Sequence, residues 1–186
     1  MTDAICSATT NTTPGSNVNV YTSRLCKPWK ISDDAVKFLK GWEQYAEKMY
    51  DNDGSKSGNA TIGYGHLVHS GKITGTTFEK SFEKGISQAE AEKLLRHDVE
   101  IPERIVNDKI KIPLYQFEYD ALVCFTYNLQ RHAVSLLDFV NKGDYSKVGD
   151  RMREYSHSGK QLVMGLKRRR HREAEMFEAG VYDSSH

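Results

Sequence analysis

Several features are scarce or missing, and each absence excludes something. Only three cysteines occur in 186 residues, Cys6, Cys26 and Cys124, with no Cys-x-x-Cys pair and no Cys/His cluster, which argues against a zinc site. The odd count leaves at least one thiol free, while Cys6 and Cys26 could pair in an oxidising compartment. No apolar run approaches the ~20 residues that a spanning helix requires, so no membrane association is expected. Neither sign of charge dominates: 26 Lys and Arg face 25 Asp and Glu, a net charge of +1, whereas a nucleic-acid binder usually carries a larger basic excess. The N-terminus lacks the basic and apolar regions of a secretory signal peptide.

What is present is a globular composition. Hydrophobic residues make up 38% and charged residues 27%, outside the range of disordered acidic chains. A chain of this length fits one domain, or one domain with a tail, and buries ~70% of its unfolded surface, so its core needs no covalent staple. Residues 1–30 read as a polar leader or linker, because the run from Ser7 to Asn17 is small, polar and without apolar periodicity. It is either the tail of a small protein or a connection to something upstream. The block Lys167-Arg168-Arg169-Arg170-His171-Arg172 is either the solvated or structural side of a helix or a surface for a polyanion. It lacks the interleaved aromatics of a single-strand nucleic-acid site.

Order is expected from Ile31. Ser32 suits an N-cap, and Asp33 and Asp34 suit the positive end of a helix dipole. Ala35, Phe38, Leu39, Trp42, Ala46 and Met49 recur at spacings of three and four, which predicts an amphipathic helix to about Met49. Asp51 to Asn59 is turn chemistry, and Thr61 to Val68 sets β-branched and aromatic residues between glycines, which predicts a hairpin or small sheet. Ser87 with Glu90 forms a capping box before a stripe of Ala91, Leu94, Leu95 and Val99, and Pro102 and Pro113 punctuate the chain beyond that stripe. Tyr115 to Asn128 reads as a central buried helix. Further helices are predicted over 134–141, 145–154 and 166–177, with Gly180 as a terminator. The fold class is thus α+β and predominantly helical, with a small antiparallel sheet placed early.

One residue stands out. Glu43 falls on or beside the apolar face of the first helix, where a carboxylate is costly unless paired or protonated. It could also lie at the edge of the stripe and reach water. Asp51 and Asp53 lie in a wet turn a few residues on. A carboxylate in an apolar setting beside one in a polar setting is the arrangement that glycosidic cleavage uses. The same turn resembles the start of a calcium loop but lacks its downstream Glu, and aspartates are common in any loop.

These residues resemble a known family. Glu43, Tyr50, the Asp-rich turn and Thr61-Ile62-Gly63-Tyr64-Gly65-His66 resemble the active-site signature of the phage-type lysozymes, glycoside hydrolase family 24. Glu90 to Leu95 with Asp98-Val99, then Gln116-Phe117 with Asp120 to Val123, Phe125 and Asn128, and then Gly165-Leu166, Arg168-Arg169, Glu173 and Phe177 match the family's later motifs in order. The resemblance runs from about residue 32 to 182, and so implies a phage-type lysozyme domain over 31–186. It implies a lysozyme-like fold of two lobes, the small sheet in the N-terminal one and helices in the C-terminal one.

By this resemblance Glu43 is the general acid and Thr61 positions the attacking water. Tyr64 belongs to substrate binding or orientation, and Arg169 is the arginine that the family places near the acid. His66 and Asp98 resemble a structural ion pair. The family's Asp should stand nine residues after the Glu, where this chain has Asn52 between Asp51 and Asp53, and the turn before Thr61 is three residues longer than the pattern. Asp53 is favoured as the carboxylate because the added length gives slack on its side, with Asp51 close behind and Asn52 as a third possibility.

The implied function is a muramidase cutting peptidoglycan glycan strands between N-acetylmuramic acid and N-acetylglucosamine. Lytic transglycosylation of the same bond and an inactive wall-binding module are the alternatives. No metal or organic cofactor is implied, and a monomer is expected. Without a signal peptide, a cytoplasmic product would reach the wall through a pore protein, as an endolysin, or through a secretion machine, as a toxin module matched by an immunity protein.

Overall fold

A computed structural model of the chain describes residues 30–51, 58–159 and 161–186. Cys6, Cys26, nearly all of the leader, Asn52 and Asp53 therefore lie outside the described residues. The described residues form two compact units, one of residues 39–100 and one of residues 30–38 with 101–186. The expected class is observed: predominantly helical α+β, with a three-stranded antiparallel sheet in the first unit and helices dominating the second.

The first helix among the described residues, α1, spans Asp33–Glu43. Ser32 caps it as expected, its hydroxyl accepting the Ala35 N–H at 3.2 Å, and Ala35, Phe38 and Leu39 are buried. The helix stops at Glu43, six residues before the predicted end. Gln44 adopts φ +53, a left-handed value that cannot continue the helix. Ala46 and Met49 belong instead to strand β1, Ala46–Asp51, so their helical spacing was coincidental.

The unit of residues 39–100 is built on a meander. β1 pairs antiparallel with β2, Asn59–Gly63, and β2 pairs with β3, His66–Ser70. The middle strand is the buried one, with Ala60, Thr61 and Ile62 almost fully inside. Gly63 ends β2 at φ +65, where an added Cβ would lie 3.0 Å from the Ala91 side chain, so only glycine allows both the turn and the contact. A short helix not foreseen in the sequence, α2, spans Thr77–Lys80.

Helix α3, Gln88–Lys109, opens on the expected capping box. The Ser87 N–H and hydroxyl both donate to Glu90 Oε2, at 2.8 and 2.7 Å, and the Glu90 N–H donates back to Ser87 Oγ at 3.3 Å. It does not break at Pro102. A proline inside a helix removes one i to i−4 bond, and the buried stripe of Ala91, Leu95, Val99 and Val106 outweighs that single loss.

In the other unit α4, Gln116–Leu129, is the central buried helix, with every residue from Glu118 to Thr126 inside. Helix α5 spans Val134–Val140. The segment predicted as one helix over 145–154 is a 3₁₀ turn, Tyr145–Lys147, followed by α6, Val148–Arg153. A two-stranded hairpin of β4, His157–Ser158, and β5, Gln161–Leu162, was not foreseen. Helix α7, Met164–Ala179, ends at Gly180, whose φ of +67 and N–H bond to the Met176 carbonyl make it the terminator expected. Cys124 is buried on α4.

Candidate active site

The residues of the sequence signature gather in the unit of residues 39–100. Glu43 is the last residue of α1 and is half-buried. Its carboxylate acts on Tyr50: burial first, and then the charge of Glu43, push the Tyr50 hydroxyl above its ordinary pKa. Tyr50 in turn sits opposite Thr61 in the β1–β2 register, and Asp51 sits opposite Ala60. The turn of the chain at Gln44 therefore folds β1 back so that Glu43 and the Tyr50/Thr61 pair share one neighbourhood.

Thr61 is 97% buried, and its hydroxyl donates to the Asn59 carbonyl at 2.8 Å. With its proton engaged there, the oxygen presents only lone pairs, so it can accept a hydrogen bond but not give one. Asp51 is half-buried at the end of β1, and its Oδ1 accepts the Ile73 N–H at 3.3 Å. One of its oxygens thus already holds the loop after β3.

Tyr64 is buried, with its ring 5.7 Å from that of Tyr45 and with the Lys40 ammonium 5.3 Å from its centroid. Lys40 is fixed by Glu92 at 2.8 Å. That bond is the main cause that holds the lysine pKa up and the Glu92 pKa down. His66 Nδ1 lies 2.9 and 3.1 Å from the two oxygens of Asp98, which ties β3 to α3.

Arg169 lies in the other unit, on α7. It is buried, with its Nε 3.1 Å from Glu173 Oε1, and Arg170 Nε is 2.8 Å from Glu173 Oε2. Part of the basic block is therefore internal: Arg169 and Arg170 are buried, while Lys167 and Arg168 are exposed. Arg170 also stacks over Phe125 at 4.8 Å.

Residues 40–173 match the sequence model of the phage lysozyme family. The chain belongs to that family. The matched span contains every described residue of the signature, from Glu43 to Arg169. The chain is 31% identical over 156 residues to the endolysin of Bacillus phage B103, an alignment covering 81% of this chain and 54% of that one. It thus spans about half the length of that relative. It is also 31% identical over 156 residues to the endolysin of Acyrthosiphon pisum secondary endosymbiont phage 1, covering 80% of this chain and 98% of the other. Among solved structures, the endolysin from Escherichia coli O157:H7 phage FAHEc1 superposes with a TM-score of 0.70 at 27% identity, covering 86% of this chain and 99% of that one. The muramidase domain of SpmX from Asticaccaulis excentricus gives 0.65 at 27% identity, with coverage of 81% and 99%.

Within this phage lysozyme family member, two features carry no signal in the sequence. Tyr50 links the acid candidate to Thr61, a link that depends on strand register and so appears only once β1 is recognised as a strand. Glu79, 97% buried, gathers the loop after β3. It accepts the N–H groups of Thr74 and Gly75 at 3.0 and 2.6 Å, the Thr76 hydroxyl at 3.2 Å and His69 Nε2 at 2.8 Å. Led by the Thr74 bond, these hold its carboxyl pKa down at about 2.

Proposed function

We propose that this chain is a peptidoglycan hydrolase of the muramidase type, cleaving the β-1,4 bond between N-acetylmuramic acid and N-acetylglucosamine. The observation that carries the reading is the shared neighbourhood of Glu43, Tyr50 and Thr61, set inside a span that matches the phage lysozyme family. Glu43 donates its proton to the bridging oxygen as the bond from C1 breaks, and that oxygen leaves as the free hydroxyl of the next sugar. Water adds its oxygen to C1 and gives up a proton, which restores the balance. Thr61 accepts a hydrogen bond from that water, because its own proton is committed to Asn59. This leaves a water lone pair free to face the anomeric carbon.

An ionised aspartate from the β1–β2 turn takes the water's proton or stabilises the oxocarbenium-like centre. Asp53 is assigned this part. Asp51 already has one oxygen engaged by the Ile73 amide, and the longer turn gives slack on the Asp53 side. Water attacking from the face opposite the leaving group gives inversion at C1. The similarity to phage endolysins supports the endolysin setting, in which the enzyme reaches the wall after release from the cytoplasm, over a secreted toxin with an immunity partner.

Digestion of purified peptidoglycan in ¹⁸O-labelled water tests the reaction. Hydrolysis places one heavy oxygen at each new reducing end. Unlabelled 1,6-anhydro ends would instead establish a lytic transglycosylase, and binding without release would establish a wall-binding module.

A further inference from the structure

The loop after β3 is bonded on both of its sides. Toward β2, the Gly71 N–H donates to the Gly58 carbonyl at 2.9 Å, and the Gly71 carbonyl accepts the Ala60 N–H at 3.3 Å. The two segments touch, since a Cβ added at Gly58 would stand 2.7 Å from the Lys72 Cα. Between Gly58 and Ala60 lies Asn59, whose carbonyl accepts the Thr61 hydroxyl. Toward β1, the Ile73 N–H donates to Asp51 Oδ1. Toward α2, the N–H groups of Thr74 and Gly75 donate to Glu79. Three successive amides thus end on two carboxylates, and the loop bridges α2 to both strands that flank the turn before Thr61.

His69, on β3, sets how firmly Glu79 is held. Its Nε2 lies 2.8 Å from Glu79 Oε1 and its Nδ1 2.9 Å from the Ser70 carbonyl. Both partners only accept: a carbonyl has no proton to give, and the Glu79 carboxyl is ionised at any working pH. A neutral imidazole has one N–H and one lone pair, so it would set that lone pair against an acceptor. Both contacts are satisfied only by the imidazolium. The charged groups that act on the ring are Glu79 from α2 and Asp51 from β1, while its cross-strand neighbour on β2 is Ala60, which carries no charge. The Ser70 carbonyl first, and the Glu79 carboxylate next, hold the ring's pKa above the ordinary histidine value. The proton is present below that raised pKa and lost as pH climbs through it.

We propose that Glu79 and protonated His69 are positioning residues for the hydrolysis: they fix the loop of residues 71–75, and through Gly71 the Asn59 carbonyl that orients the Thr61 hydroxyl. The inference rests on the hydrolase reading, in which Thr61 accepts a hydrogen bond from the attacking water. When His69 loses its proton, Glu79 loses its charge partner and the loop loosens. The Asn59 carbonyl then no longer holds the Thr61 proton in one direction, and the water loses its fixed acceptor.

Rates of peptidoglycan hydrolysis by the parent and by His69→Gln, measured from pH 5 to pH 9 with thermal melts matched, test it. Glutamine has no proton that titrates in this range. The parent should be at least ~10-fold faster at pH 5, inside the ~10²-fold that a 1 Å misplacement at a catalytic centre can cost. The ratio should fall toward one as His69 of the parent loses its proton. Titration of Glu43 is common to both proteins and cancels in the ratio. A ratio of one throughout, or a ratio that does not change with pH, would overturn the role. A parent that releases nothing at any pH would overturn the hydrolase reading, and this role with it. Nuclear magnetic resonance on the parent alone supplies a second test that needs no folded variant. The ring ¹⁵N shifts should show both His69 nitrogens protonated at pH 5, and protection of the Ile73, Thr74 and Gly75 amides should fall at least ~10-fold as that proton leaves. Protection factors that ignore the titration of the ring would overturn the coupling.

Discussion

Ser32 donates both its backbone N–H and its hydroxyl to the two oxygens of Asp120, at 3.0 and 2.5 Å. The same carboxylate accepts Gln116 Nε2 at 2.8 Å and the Tyr182 hydroxyl at 2.7 Å. One fully buried side chain on α4 thus holds the N-cap of α1 and the segment after α7. The residue that starts the first helix and the residue that anchors the end of the chain meet at one acceptor.

Asp120→Ala should therefore destabilise the protein by about 2–4 kcal/mol, since several buried donors lose their acceptor at once. Burial raises the Asp120 pKa to about 6, above its unfolded value of ~3.9. The folded state then binds the proton more tightly, so this group's contribution to stability falls as pH rises from about 4 to about 6. Urea denaturation across that range should show the slope in the parent and not in Asp120→Asn. An identical slope in both would refute the assignment.

Glu79 predicts the opposite dependence. Its folded pKa of about 2 lies below the ordinary glutamate value, so its contribution is full above about pH 4.5 and is lost as pH falls toward 2. Glu79→Gln should flatten the acid limb of the stability curve and raise amide exchange at Thr74 and Gly75, whose N–H groups it accepts. Unchanged protection at those two amides would contradict its role.

Glu173 is fully buried between Arg169 and Arg170. Removing the carboxylate that both buried guanidiniums share takes away a buried charge partner, so Glu173→Gln should cost about 3–5 kcal/mol. Replacing an exposed member of the same basic block, as in Arg168→Gln, should change stability by less than about 0.5 kcal/mol. Thermal unfolding of the two variants side by side checks the contrast.

In the turn before Thr61, Asp53→Asn should lower kcat by ~10²–10⁴-fold if that carboxylate assists the water. Asp51→Asn should act mainly on stability, through the Ile73 amide. Thr61→Ser keeps a hydroxyl able to donate to Asn59 and should retain far more activity than Thr61→Ala. A reversed order for the two aspartates would move the catalytic carboxylate to Asp51.

Much of this was legible in the sequence where local chemistry decides structure. The Ser32 cap, the Ser87/Glu90 box, the buried α4 and the Gly180 terminator each depend on a few adjacent residues, and each appears as expected. The end of α1 was not legible, because Ala46 and Met49 fit a helical stripe and a strand equally well, and only the left-handed turn at Gln44 decides between them. Helix α3 passes through Pro102 because tertiary packing overrides a local breaker. The β4–β5 hairpin is two residues per strand, too short to leave a period. At the site, helical spacing singled out Glu43, whereas Thr61 entered only through the family resemblance. The link through Tyr50 required the strand register. The His66–Asp98 pair spans 32 residues and came from the family resemblance rather than from any local signal.

The most direct test of the central claim is the rate of peptidoglycan cleavage by Glu43→Gln beside the parent, with both proteins matched in thermal melt and products identified by mass spectrometry. Glutamine keeps the shape of the side chain but has no proton of carboxylic acidity to give. The account predicts hydrated muropeptides with new reducing ends from the parent and a loss of at least ~10²-fold in the variant. A folded Glu43→Gln that cleaves at the parental rate would contradict it.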